Sequence, residues 1–95
     1  MFARVTQYKM KSGSMAEATK LVDTLRSQIM ALPGLKQFIN VAKPDGSGYV
    51  ISLSESEAVA NGNAAKVAEI WGAFGKHLEA PPKPDGYDVL ANWSN

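Results

Sequence analysis

The chain has no cysteine among its 95 residues. That excludes disulfides, a thiolate nucleophile and the cysteine-based zinc and iron–sulfur ligand sets. It has one histidine, His77, and a lone histidine without a clear second ligand is a poor start for a metal site; no metal and no cofactor are expected. Neither sign of charge dominates. Ten Lys and Arg stand against nine Asp and Glu, and the basic residues are spread from Arg4 to Lys83 without a run. Nucleic-acid and anionic-membrane surfaces need clustered cations, so neither partner is expected. No apolar run approaches ~18 residues and no basic-then-apolar leader opens the chain, so no membrane span is expected and the cytoplasm is the expected setting.

What is present is the composition of an ordinary globular domain, 45% hydrophobic and 20% charged, and the length predicts one domain over residues 1–95. The segment 2–10, FARVTQYKM, is rich in β-branched and aromatic residues and predicts a strand. KSGS turns the chain, and Ser14 with Glu17 forms the pattern of a capping box. Beyond it Ala18, Leu21, Val22, Leu25, Ile29 and Leu32 recur at helical spacing, until Pro33-Gly34 ends the helix.

LKQFINVAK (35–43) and GYVISLS (48–54) predict two strands joined through PDGS, a turn in which Pro fixes φ, Asp bonds local backbone and Gly accepts positive φ. SESEA has helix-start chemistry. Asn61-Gly62 interrupts it, so a short helical turn and a second long helix over 63–79 are expected, with Ala64, Val67, Trp71, Phe74 and Leu78 on one face. Pro81-Pro82 stops it. The sequence KPDG occurs at 43–46 and at 83–86. Both copies are read as turns, because neither has the glycine spacing or Lys-Ser/Thr ending of a phosphate cradle. A last strand is predicted over 86–93. The order β-α-β-β-α-β is the ferredoxin-like plan, an α+β fold with a four-stranded antiparallel sheet.

Both faces of the predicted strands carry large apolar groups: Phe2, Tyr8 and Met10 alternate with Ala3 and Val5, and Tyr49, Ile51 and Leu53 with Val50. Two helices cover only one face of such a sheet, so a homodimer that buries the other face is expected. Trp71 and Phe74, three apart, face inward, either as core or as the wall of a pocket for a planar aromatic ligand. Gly72 and Gly75 interrupt that helix at a cost of up to ~1 kcal/mol each, which fits either room for a ligand or a tight backbone contact. Arg4, Thr6 and Tyr8 share one face of the first strand and are candidates to line a cavity. An imidazole side chain titrates near neutral pH, so His77, either a surface or boundary histidine or a pocket residue, is the candidate catalytic base. Its helical offset puts it at the flank of the Trp71–Phe74–Leu78 face, at the rim of any site. Trp71, Phe74, Tyr49, Tyr8 and Arg4 make up the candidate pocket. No nucleophile elbow is present, and Glu55 and Glu57 are read as a solvated pair.

The plan resembles the dimeric α+β barrel superfamily and, within it, the antibiotic biosynthesis monooxygenase-like family. The resemblance runs over nearly the whole chain, through FARVTQYKM, LPGLKQF, SLSESEAVA and HLEAPPKPDGYDVLANW. It implies sheets paired across a dimer and a pocket between each sheet and its helices. It also implies, for some members, oxidation of phenolic, quinol or polycyclic substrates by O₂ without metal or flavin. The haem-degrading branch of the family carries an Asn on the first strand, a Trp at the exit of the third and a His about ten residues later. Here Thr6 and Gln7, Ser54 and the region of Ala64 occupy those places, so no haem is implied. The function expected is a cofactor-independent monooxygenase or related enzyme, or alternatively a non-catalytic binding or structural dimer.

Overall fold

In the computed structural model, which describes residues 1–95, the chain forms β1 (Phe2–Lys9), α1 (Met15–Met30), β2 (Leu35–Ala42), β3 (Ser47–Ser54), α2 (Glu57–Gly62), α3 (Ala64–Gly72), a 3₁₀ turn (Gly75–His77) and β4 (Lys83–Asp88). The sheet order is β2-β3-β1-β4, antiparallel throughout. This is the ferredoxin-like plan, with the helices on one face of the sheet.

The strand alternation decides which side chains meet the helices. On β1 these are Phe2, Arg4, Thr6 and Tyr8, paired with Ser54, Ser52, Val50 and Gly48 of β3. The core gathers at the Tyr8 end. Tyr8 and Met10 pack there with Ala18, Leu25 and Ile29 of α1 and with Phe74 and Leu78. The predicted apolar stripe of α1 thus faces the sheet. Each fully buried Leu or Ile contributes roughly 1.5–3 kcal/mol, so this helix anchors the layer.

Several local features differ from the sequence reading. Ser14 is the residue before α1, but its side chain makes no capping bond; its backbone is already in the helical region there, so no capping box forms. Ser56 does cap α2, its hydroxyl accepting from the Val59 N–H at 3.2 Å. The long helix expected over 63–79 ends at Gly72, and the chain continues as a separate 3₁₀ turn. Only the first KPDG is a turn: Asp45 accepts from the Ser47 N–H and hydroxyl, and Gly46 has φ +91°. The second, Lys83–Gly86, is strand, and β4 ends at Asp88 rather than at 93. The free edge of β1 recruits it, and Pro84 is tolerated because β4 is itself an edge strand whose outer side needs no donor.

Two close approaches shape the helix-facing side. Tyr8 stands opposite Gly48, and Arg4 opposite Gly86. A Cβ on Gly48 would overlap the Val41 carbonyl oxygen and lie 2.7 Å from the Tyr8 hydroxyl, and one on Gly86 would lie 2.6 Å from the Phe2 ring and 3.1 Å from Arg4 Nη1. Each glycine lets a long side chain of β1 lie flat across the neighbouring strand. Gly72 has nothing within 4 Å of its would-be Cβ. The two sites predict opposite outcomes in denaturant titration. Gly48→Ala should lose about 1–3 kcal/mol by forced repacking, whereas Gly72→Ala should gain about 0.5–1 kcal/mol through helix propensity. Equal effects at the two positions would refute the close-approach reading.

Candidate functional site

A cavity of about 820 Å³ lies between the helix-facing side of the sheet and α3, within the usual size range of small-molecule sites. Its floor is β1 and its neighbours: Arg4, Thr6 and Tyr8, with Phe38 and Asn40 of β2 and Val50, Ser52 and Ser54 of β3. Its roof is Ala64, Val67, Ile70, Trp71 and Phe74. The segment from Leu78 to Pro84 closes one side. The cavity exists because α3 stands off the sheet: none of its residues is buried, and Val67, Ile70 and Trp71 are only half-buried.

Three aromatic rings run from floor to roof. Tyr8 and Trp71 have centroids 5.9 Å apart at 51°, and Trp71 and Phe74 6.0 Å apart at 58°, tilted geometries that the ring quadrupoles favour. The Tyr8 hydroxyl donates to Asn40 Oδ1 at 2.6 Å. Burial pushes this phenol above the ordinary tyrosine range. At neutral pH Tyr8 is therefore a neutral hydrogen-bonding group rather than a base.

At the other end Arg4 donates through Nη2 to Asn61 Oδ1 at 2.8 Å, and its guanidinium carbon lies 4.9 Å from the centroid of the Phe2 ring. Asn63, buried between α2 and α3, donates to the Pro33 carbonyl at 2.9 Å and ties the start of the roof to the end of α1.

Of the residues singled out from sequence, Arg4, Tyr8, Trp71 and Phe74 come together around this cavity. Tyr49 does not. It pairs with Gln7 on the opposite face of the sheet and is 45% exposed, because alternation assigns the helix-facing position to Gly48. His77 also departs from its expected place. It is 7% exposed, rather than set at a rim, and it is not part of the cavity lining. The break of the helix after Gly72 changes its direction: it sits in the 3₁₀ turn, whose backbone docks on the end of β1 through Lys11 N–H to the His77 carbonyl at 2.7 Å. Gly72 and Gly75 do line the cavity, with open space beside both, so the tight-contact alternative does not hold. Asn40, Ser52, Ser54 and Asn63 were not singled out from sequence. The signal for the two serines was their alternation with Ile51 and Leu53, which puts them on the face opposite those residues.

No group of three His, Cys, Asp or Glu side chains converges in a way that would hold a metal ion, and no helix is long and apolar enough to cross a membrane.

Comparison with solved structures agrees with the architecture. A protein of unknown function from Nitrosomonas europaea superposes with a TM-score of 0.82 at 16% identity, over 99% of this chain and 93% of its own. A candidate antibiotic biosynthesis monooxygenase from Bordetella bronchiseptica gives 0.80 at 13% identity, over 95% and 97%. One from Caulobacter crescentus gives 0.78 at 17%, over 95% and 90%. The chain has the fold of the antibiotic biosynthesis monooxygenase-like proteins. Neither a family model nor a curated protein matches it by sequence. At these identities the likeness is one of fold, so the activity has to be argued from the cavity.

The placement of Trp71 and His77 predicts an unusual order of stabilities. Trp71→Ala should cost about 1–2 kcal/mol, below the ~3–5 kcal/mol of an enclosed aromatic, because the indole borders the cavity. His77→Ala should cost about as much or more, because it empties a buried position. Thermal or denaturant unfolding of the two variants measures this, and a neutral His77→Ala would show that the ring contributes no packing.

Proposed function

We propose that the chain binds a planar aromatic or polycyclic small molecule in the cavity between sheet and helices. The observation that carries this is the Tyr8–Trp71–Phe74 chain of rings bordering about 820 Å³ of largely apolar space. Aromatic faces on two sides favour a flat ligand, and the polar groups of the floor fix its orientation.

The likeness to candidate antibiotic biosynthesis monooxygenases supports a chemistry as well: oxygenation of a phenolic or quinol-like ring system by O₂ without metal or flavin. In such a step a ring CH₂ and O₂ become C=O and H₂O, so the four electrons come from the substrate. The step begins with loss of a C–H proton and needs a base near the substrate. His77 lies outside the lining, and Tyr8 stays protonated. Glu79, the only carboxylate of the lining, is the group able to take the proton. Calorimetric titration with polycyclic phenols and quinols should show micromolar binding, and an oxygen electrode should show uptake with those that bind. Glu79→Gln should slow uptake by at least tenfold with binding unchanged. Absence of binding across the panel would overturn the cavity reading, while binding without uptake would leave a binding protein.

Residues 1–95 are read as one domain that works as a homodimer. The helix-free face of the sheet carries Val5, Ile39, Val41, Tyr49, Ile51 and Tyr87, with Val41, Tyr49 and Tyr87 exposed. Beyond β4, Leu90 and Trp93 are 96% and 91% exposed. A second copy covering that face accounts for such an apolar surface. Sedimentation at micromolar concentration should give twice the chain mass, and Tyr49→Asp with Tyr87→Asp should shift it to the monomer. A wild-type monomer would overturn this. A cytoplasmic setting fits a chain without cysteine.

A further inference from the structure

The cavity floor holds a cation, Arg4, that makes no ion pair within the chain. Arg4 is half-buried on the floor, and only one of the five N–H groups of its guanidinium is engaged, by the neutral Asn61 amide. The ion pairs of the chain are Lys9–Asp45 and Lys36–Glu55, and neither involves it. Asp88 shares its face of the sheet, opposite Phe2, but forms no ion pair with it. Glu79 lies at the other end: its N–H bonds the Lys9 carbonyl, five residues along β1 from Arg4, a separation of about 16 Å at strand spacing.

The guanidinium is also held in place. The Phe2 ring lies against it at 4.9 Å, Asn61 holds one nitrogen, and the bare Cα of Gly86 leaves the space it occupies across β4. A fixed guanidinium beside an apolar cavity, with donors to spare, is matched to a carboxylate, which it can bind through two parallel N–H···O bonds.

We propose that the ligand of this cavity is an aromatic acid whose rings lie against Tyr8, Trp71 and Phe74 and whose carboxylate meets Arg4. This rests on the cavity reading above and names its ligand class. Tyr8 and Arg4 are four residues apart on β1, about 13 Å, so the acid has two or three fused or linked rings rather than one. The polar floor between them, Thr6 and Ser52, takes substituents along its length.

The test compares 2-naphthoate with 2-naphthamide, which has the same shape without the charge, by calorimetry on the full chain at low ionic strength. The acid should bind at least about tenfold more tightly than the amide, the scale of a charge-assisted hydrogen bond. Arg4→Gln should erase the difference between acid and amide. Asn61→Ala, which frees the guanidinium without removing it, should reduce the difference. Circular dichroism and melting establish that the variants fold, and the wild-type ratio stands without them. If acid and amide bind equally to wild type, the inference falls and the cavity reading stands. If the acid's preference survives in folded Arg4→Gln, its carboxylate is not at Arg4 and the inference falls. If neither compound binds at millimolar concentration, the cavity reading falls and takes the inference with it.

Discussion

The site depends on two side chains of β1 lying flat. Tyr8 and Arg4 are both too long to stand upright between a sheet and a close-packed helix, and both turn sideways over a glycine of the adjacent strand. Tyr8 crosses Gly48 to reach Asn40 on β2, and Arg4 crosses the opposite edge over Gly86. The two directions diverge, so the middle of the floor is left to the small groups Thr6 and Ser52. A Cβ at either glycine would collide with the side chain that crosses it, and at Gly48 with the Val41 carbonyl as well. The same arrangement separates the chemistry of the two ends: a neutral phenol among aromatic rings at one, a guanidinium without an ion-pair partner at the other.

The roof is built with little adhesion. The α1 helix buries Ala18, Leu25 and Ile29, while α3 buries nothing fully. The fold's stability is therefore concentrated on α1 and the β1 end near Met10, Phe74 and Leu78. Elements with few buried apolar contacts open at lower free energy than the core, and α3 is such an element. His77 belongs to the anchored part: its 3₁₀ turn is bonded to the chain just beyond β1, at Lys11, where it fixes the far end of the roof.

The two faces of the sheet differ in chemistry. The helix-facing side gives polar and small residues to the cavity floor, while the other side carries Val5, Ile39, Ile51 and Leu53. Since each strand alternates, the residues of one face do not constrain those of the other. The fold itself recurs in solved structures at 10–17% identity.

The order of strands and helices, the apolar stripe of α1 and the grouping of Arg4, Thr6 and Tyr8 were legible from the residues alone. All of these follow from local periodicity, 3.6 in helices and 2 in strands. Tertiary structure decided the rest. Whether KPDG is turn or strand depended on a free edge of β1, which pairs the second copy and not the first. Whether Ser14 caps α1 depended on the backbone angle at which the chain enters it. Tyr49 went to the far face because register with β1 set Gly48, not its neighbour, against the helices. His77 was misplaced because its position was counted along a continuous helix, and the helix stops five residues earlier. The glycine crossings were not legible, since a glycine opposite a tyrosine or an arginine is a relation between strands distant in sequence. That Arg4 has no counter-charge is likewise a fact of three-dimensional arrangement: the chain has nine carboxylates, and the fold brings none of them into an ion pair with it.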